Sequence, residues 1–193
     1  SDGPRILMGC RSSGHDFMPD KYVFPGGRVD TQDGLAPAFD ELHSHVESQL
    51  RYKARRKPRA FALTAEREMN EETGLILGRS CAAVPGAPAS WSSYYAHGVA
   101  PCLSTFTFIG RAVTPPMRHK RFDARFFMAD AEACLVDDRP PADSRELADL
   151  RWFTLEEVAR LDLPNVTRFV ISEVEARLLR GQSADPFLLR WSP

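Results

Sequence analysis

The chain has 193 residues, 43% of them hydrophobic and 26% charged, with a formal charge of −1. That length suits one domain, residues 1–193, with ample material for a core. The balance of charge gives no sign of a general nucleic-acid or membrane-surface binder, and no apolar run approaches the ~20 residues that span a bilayer.

In chain order, Ile6-Leu7-Met8 reads as a short buried strand ending near Arg11. Arg11 to Asp20 is polar, with Gly14 and Pro19, and reads as a loop. Val23-Phe24 re-enters a strand that Pro25-Gly26-Gly27 breaks, and a Gly pair lets backbone approach a ligand or metal closely. Ala36 to Leu50 can be helical, with Phe39, Leu42, Val46 and Leu50 at i, i+3, i+7 and i+11. Residues 51–59 then hold six positive charges in nine positions. They read either as a phosphate-attracting rim or as a solvated linker.

A helix is expected from about Arg59 to Thr73, ended by Gly74. Its Glu68, Glu71 and Glu72 stand at i, i+3 and i+4, on one side of the helix, while Ala62, Ala65 and Met69 lie mainly on the other. Like charges at i,i+4 repel unless a cation sits between them. A hard divalent ion with oxygen ligands, Mg²⁺ or Mn²⁺, is one partner for such a face, and solvent is the other.

Leu75-Ile76-Leu77 reads as a strand. Residues 78–103 have no clean period but hold Trp91, Tyr94 and Tyr95. That cluster reads as a stacking platform for a base, with Tyr94 as the substrate contact, or as a core or homodimer contact. Ser104–Val113 and Phe122–Met128 read as strands. Arg118, Lys120, Arg121 and Arg125 cluster around the start of the second. They are suited to a diphosphate, Arg121 foremost, though surface cations have the same appearance. Asp137–Pro141 is a loop, and Leu150–Phe153 reads as the last strand. Thr154-Leu155-Glu156-Glu157 is a capping box, and Leu163-Pro164 opens a final helix with Val166, Phe169, Val170 and Val174 on its apolar side. Strands mixed with helices imply an α/β layered domain. No secretory signal peptide is visible, although the chain opens without Met. Cys10, Cys81, Cys102 and Cys134 show no C-x-x-C pairing, so free thiols in a cytoplasmic protein are expected.

Val23-Phe24-Pro25-Gly26-Gly27 and Arg67-Glu68-Met69-Asn70-Glu71-Glu72-Thr73-Gly74 together resemble the Nudix hydrolase signature. In that signature a glycine precedes an acidic position and then Arg-Glu-x-x-Glu-Glu-x-Gly. Gly27 matches the glycine, and Asp33 stands where the family usually has Glu. The family has about seven residues between that acid and the arginine; here residues 34–66 intervene, so about 34–59 is an insertion inside the box. It interrupts the motif at a loop and is expected to shape substrate choice without carrying catalysis. The split box is similar to that of peroxisomal coenzyme A diphosphatases.

The resemblance implies an α/β/α sandwich with a mixed sheet and hydrolysis of a diphosphate linkage in a nucleoside-diphosphate-linked small molecule. It implies Mg²⁺ or Mn²⁺ on Glu68, Glu71, Glu72 and the backbone of Gly27. Arg67 would orient a glutamate. The general base would be a helix glutamate or Glu146, ahead of Glu132 and Asp143. In the coenzyme A subgroup a Leu-Leu-x-x-Arg pattern precedes the glycines, and Leu7, Met8, Arg11 and Ser12 match it, with Arg11 a phosphate contact. The subgroup's later Arg and Gly are here Asp16 and Asp20, which argues against coenzyme A itself.

Overall fold

The structure is a computed structural model describing residues 3–14, 18–82, 84, 86–117, 119–180 and 185–190. Asp16 and Arg118 lie outside the described residues.

Three strands build the first sheet. β1 (Arg5–Arg11) pairs antiparallel with β2 (Tyr22–Val23) on one side and with β7 (Leu147–Thr154) on the other. A second sheet is mixed. Its central β5 (Thr107–Val113) runs antiparallel to β6 (Asp123–Met128) and parallel to β8 (Phe187–Arg190). β3 (Arg79–Ser80) and β4 (Val99–Ala100) form a small ladder apart.

Helices cover both faces. α2 (Pro58–Thr73) starts with proline at its first position, where the missing N–H costs nothing, and ends at Gly74, whose φ of 73° is left-handed. α6 (Asn165–Arg180) lies on the opposite side, preceded by α5 (Leu155–Ala159), which opens on the Thr154–Glu157 capping box. Strand alternation divides the side chains between these layers. Leu7 joins Val23, Leu75, Leu147 and Leu150 against Met69 of α2. Met8 turns the other way, to Phe153, Val158, Leu163 and Ile171. Phe108 packs with Phe61 and Ala62 of α2, whereas Ile109 meets Val170 and Val174 of α6. This is an α/β/α sandwich with a mixed sheet. Among the described residues no helix is long and apolar enough to cross a membrane.

Several local expectations change. The helix expected from Ala36 to Leu50 begins only at Ser44, as α1 (Ser44–Arg51). Pro37 restricts the residue before it to extended backbone, and Asp40 instead makes a bridge to Cys102. Phe39 therefore leaves the apolar row and is exposed, while Leu42, Val46 and Leu50 are buried. Leu75–Leu77 is buried but forms only one bridge, Leu77 to Leu135, so burial and not sheet pairing explains its apolar run. Leu103–Thr105 is a 3-10 turn, which delays β5 to Thr107. Leu150–Phe153 lies within β7, and the last strand is β8, which the sequence reading missed.

The insertion is part of the core. Ala36, Leu42, Val46 and Leu50 share one cluster with Phe61, Ala62 and Leu63 of α2. Arg59 ties its beginning down by donating to the Gly34 and Ala36 carbonyls, at 2.8 and 3.2 Å, and pairs with Glu41 at 2.9 Å.

Candidate active site

Helical period alone places Glu68 and Glu72 on one side of α2's last turns. The loop after β2 closes over them. Gly26 has a φ of 149°, open only to glycine, and its N–H donates to Glu72 Oε2 at 2.7 Å. Gly27 comes closer still: a β-carbon there would fall 2.3 Å from the Glu68 carboxylate. The loop before β7 brings up Glu146, whose charge acts on both Glu68 and Glu72. Arg11, at the end of β1, is half-buried and feels Glu72 and Glu146. These residues line one open cleft, and His119, Lys120 and Arg121 line it too.

Burial dominates the electrostatics. Glu72 is buried, and desolvation pushes its carboxyl up to about 7. The Gly26 N–H works against that shift, Glu68 and Glu146 add to it, and Arg11 opposes it. Desolvation also raises Glu68, although Arg67 favours its charged form.

Arg67 organises the other edge. Its guanidinium donates to Asp33 Oδ1 at 2.8 Å, Glu68 at 2.8 Å, Glu71 at 3.0 Å and the Arg28 carbonyl at 3.0 Å. Asp33 is 0% exposed. Burial opposes its charge, but Arg67, Thr64 and the Asp30 N–H outweigh it and hold the carboxyl below the usual range. Glu71 leans toward Arg67 with its side chain 45% exposed.

Among the described residues, no three His, Cys, Asp or Glu side chains stand together in ligating geometry. Glu68 and Glu71 pair with Arg67, and Glu72 accepts from the Gly26 N–H. The donors nevertheless suit a hard divalent cation. All are oxygens, the Gly27 backbone lies against Glu68, and the carboxylates repel one another.

Tyr94 sits elsewhere. It is 1% exposed, and its hydroxyl donates to Glu66 at 2.7 Å and contacts the Leu77 carbonyl. Trp91 is equally buried. A buried ring offers no face to a base, so the stacking platform is a core cluster. Its polar partner Glu66, pushed by burial up to about 8, was missed; its place between Ala65 and Arg67 gives no sequence signal. Asp143 is bound to the β7 backbone, accepting from the N–H groups of Asp149 and Leu150 at 3.1 and 2.9 Å. Glu132 lies in the first turn of the short α4 (Ala131–Cys134) and also lines the cleft. The basic run ends at Arg59, about 14 Å along α2 from Glu68 at 1.5 Å per residue. Arg125 is stacked on Phe61 at 4.0 Å and paired with Asp123.

No family model matches the chain, and no curated protein matches it by sequence. Solved structures do. The crystal structure of a NUDIX hydrolase from Alicyclobacillus acidocaldarius matches with a TM-score of 0.65 at 24% identity, over 95% of this chain and 90% of that one. The crystal structure of a MutT NUDIX hydrolase from Burkholderia pseudomallei gives 0.50 at 19% identity, over 88% of each. The chain thus has the fold of Nudix hydrolases.

Proposed function

We propose, from the Nudix fold and the oxygen-only cluster at the end of α2, that the protein is a metal-dependent hydrolase of a diphosphate linkage in a nucleoside-diphosphate-linked small molecule. The observation that carries this reading is the seating of Gly26 and Gly27 directly on Glu72 and Glu68. Packing that close leaves no room for a side chain on the loop and brings its backbone within reach of both carboxylates.

Glu68, Glu71, Glu72 and the Gly27 carbonyl would hold Mg²⁺ or Mn²⁺. Such an ion neutralises phosphate oxygens and lowers the pKa of a bound water. The chain's own groups supply the rest. Arg67 pairs with Glu68 and Glu71 and sets where their carboxylates stand. Glu146 is exposed at the cleft and accepts the proton of the attacking water at its carboxylate. Arg11 and Arg121 line the same cleft and bind the diphosphate oxygens.

A coenzyme A or acyl-CoA substrate has one observation in its favour. Asp20, where the similar subgroup has Gly, takes a left-handed φ of 59°. The turn that glycine would make is retained.

A panel of coenzyme A, ADP-ribose, dinucleoside polyphosphates, NADH and nucleotide sugars tests the proposal, with Mg²⁺ and Mn²⁺ and with products identified. Metal-dependent cleavage between the phosphates of at least one compound is expected. Binding without turnover would mark a non-catalytic nucleotide-binding module, and cleavage indifferent to Glu72→Gln would remove the assigned site.

A further inference from the structure

Five donors converge on one buried carboxylate. Asp33 Oδ1 accepts from Arg67 Nε at 2.8 Å and from the Trp91 indole N–H at 3.0 Å. Asp33 Oδ2 accepts from Thr64 at 2.7 Å, the Asp30 N–H at 2.8 Å and Arg67 Nη2 at 3.1 Å. Four of these donors come from inside or beside the split motif. Trp91 comes from the irregular stretch after it, 58 residues from Asp33.

The chain has a reason to need that outside tie. Residues 34–57 separate Asp33 from α2, so covalent connection does little to fix Asp33 relative to Arg67. Trp91 is a rigid anchor: it is 0% exposed, and its ring packs against those of Tyr94 and Tyr95 at 5.2 and 5.8 Å. Its N–H shares one carboxylate oxygen with Arg67 Nε. The remaining guanidinium nitrogens of Arg67 reach Glu68 and Glu71.

We infer that Trp91 is a positioning residue for the glutamate cluster: its indole N–H fixes Asp33, Asp33 fixes Arg67, and Arg67 sets the directions of Glu68 and Glu71. The inference rests on reading that cluster as a divalent-metal site. Trp91 touches no substrate; it acts through two buried side chains.

The test is Trp91→Phe, which keeps an aromatic ring and deletes the donor. Two readouts on the full chain separate the tie from the metal reading. The first is solvent exchange of the Arg67 Nε–H in the metal-free protein, followed by ¹⁵N NMR. The second is Mn²⁺ affinity, followed by electron paramagnetic resonance. Ile171→Val, in the core on the α6 side, serves as a control of mild destabilisation. Trp91→Phe is expected to speed Arg67 exchange and to weaken Mn²⁺ binding about tenfold, the size seen when a residue behind a metal ligand is lost. Ile171→Val is expected to change neither. Wild-type exchange and affinity in Trp91→Phe would overturn the inference, as would equal changes in both variants. Faster Arg67 exchange in a protein whose wild type binds no Mn²⁺ would support the tie and overturn the metal reading instead.

Discussion

Gly27 and Glu68 are in such close approach that a β-carbon on the glycine would fall 2.3 Å from the carboxylate. The conflict is with the far end of a flexible side chain, so Gly27→Ala is expected to fold. Glu68 must then swing off Arg67, to which it is held at 2.8 Å. Mn²⁺ affinity and hydrolysis should fall about 10–100-fold with the melting temperature little changed. Titration calorimetry with Mn²⁺ checks this, and unchanged affinity would show that Glu68 is no ligand.

Glu71 and Glu72 differ in surroundings, and their removal should differ too. Glu72 is buried and Glu71 is half-open. Either change to Gln keeps the shape and a hydrogen-bond acceptor. Hydrolysis should drop by orders of magnitude in both, with circular dichroism unaltered. Near wild-type turnover in either would remove that glutamate from the site.

Asp33 sets a dependence on pH whose sign follows from its surroundings. Its folded pKa lies below the unfolded value of about 3.9. Its stabilisation is therefore full above about pH 4 and is lost as pH falls through the lower folded value. Asp33→Asn leaves Arg67 buried without its main partner and should cost about 3–5 kcal/mol at pH 7. The gap between wild type and variant should narrow below pH 4 in urea titrations. A gap that widens on acidification would contradict the depressed carboxyl.

What the sequence displayed is what local geometry decides. The i, i+3, i+4 spacing of Glu68, Glu71 and Glu72, the stop at Gly74 and the Thr154–Glu157 cap each need only a few neighbouring residues. The two-faced strand β1 was equally visible in Ile6-Leu7-Met8. Relations across long separations were not. Nothing near Trp91 announces Asp33 as its acceptor, and nothing near Tyr94 announces Glu66. Aromatic residues in an irregular stretch look alike whether they face a ligand or the core. β8 escaped because four residues carry little period, and its place is fixed by the Phe187 ring lying over Gly110 of β5.

The packing of the insertion into the core was not legible for the same reason, since its burial is tertiary. Leu50 is packed with Phe61 and Ala62 of α2, so Leu50→Ala should cost about 2–5 kcal/mol. Replacing residues 34–57 by a seven-residue link should abolish cooperative unfolding. It removes Ala36, Leu42, Val46 and Leu50 from the core and takes three acceptors from Arg59. A deletion variant with a sharp thermal transition and intact Mn²⁺ binding would return the insertion to the surface.

Asp20 offers a test of substrate choice. Its backbone already occupies the left-handed region, which an aspartate tolerates and a glycine prefers. Asp20→Gly should therefore fold at least as well as wild type, and what changes is charge. Asp20 is exposed on the turn that closes back onto Arg11 by its N–H to the Arg11 carbonyl, at 3.1 Å. A carboxylate about 4 Å from a phosphate in water-like surroundings opposes binding by about 1 kcal/mol, roughly a fivefold effect. Coenzyme A should be the poorer substrate of the wild-type protein, and Asp20→Gly should raise its kcat/KM relative to ADP-ribose about fivefold. Low ionic strength should enlarge the difference and high salt should shrink it. A wild-type protein that already prefers coenzyme A, with a ratio insensitive to Asp20→Gly, would show that Arg11 and the cations lining the cleft outweigh this carboxylate.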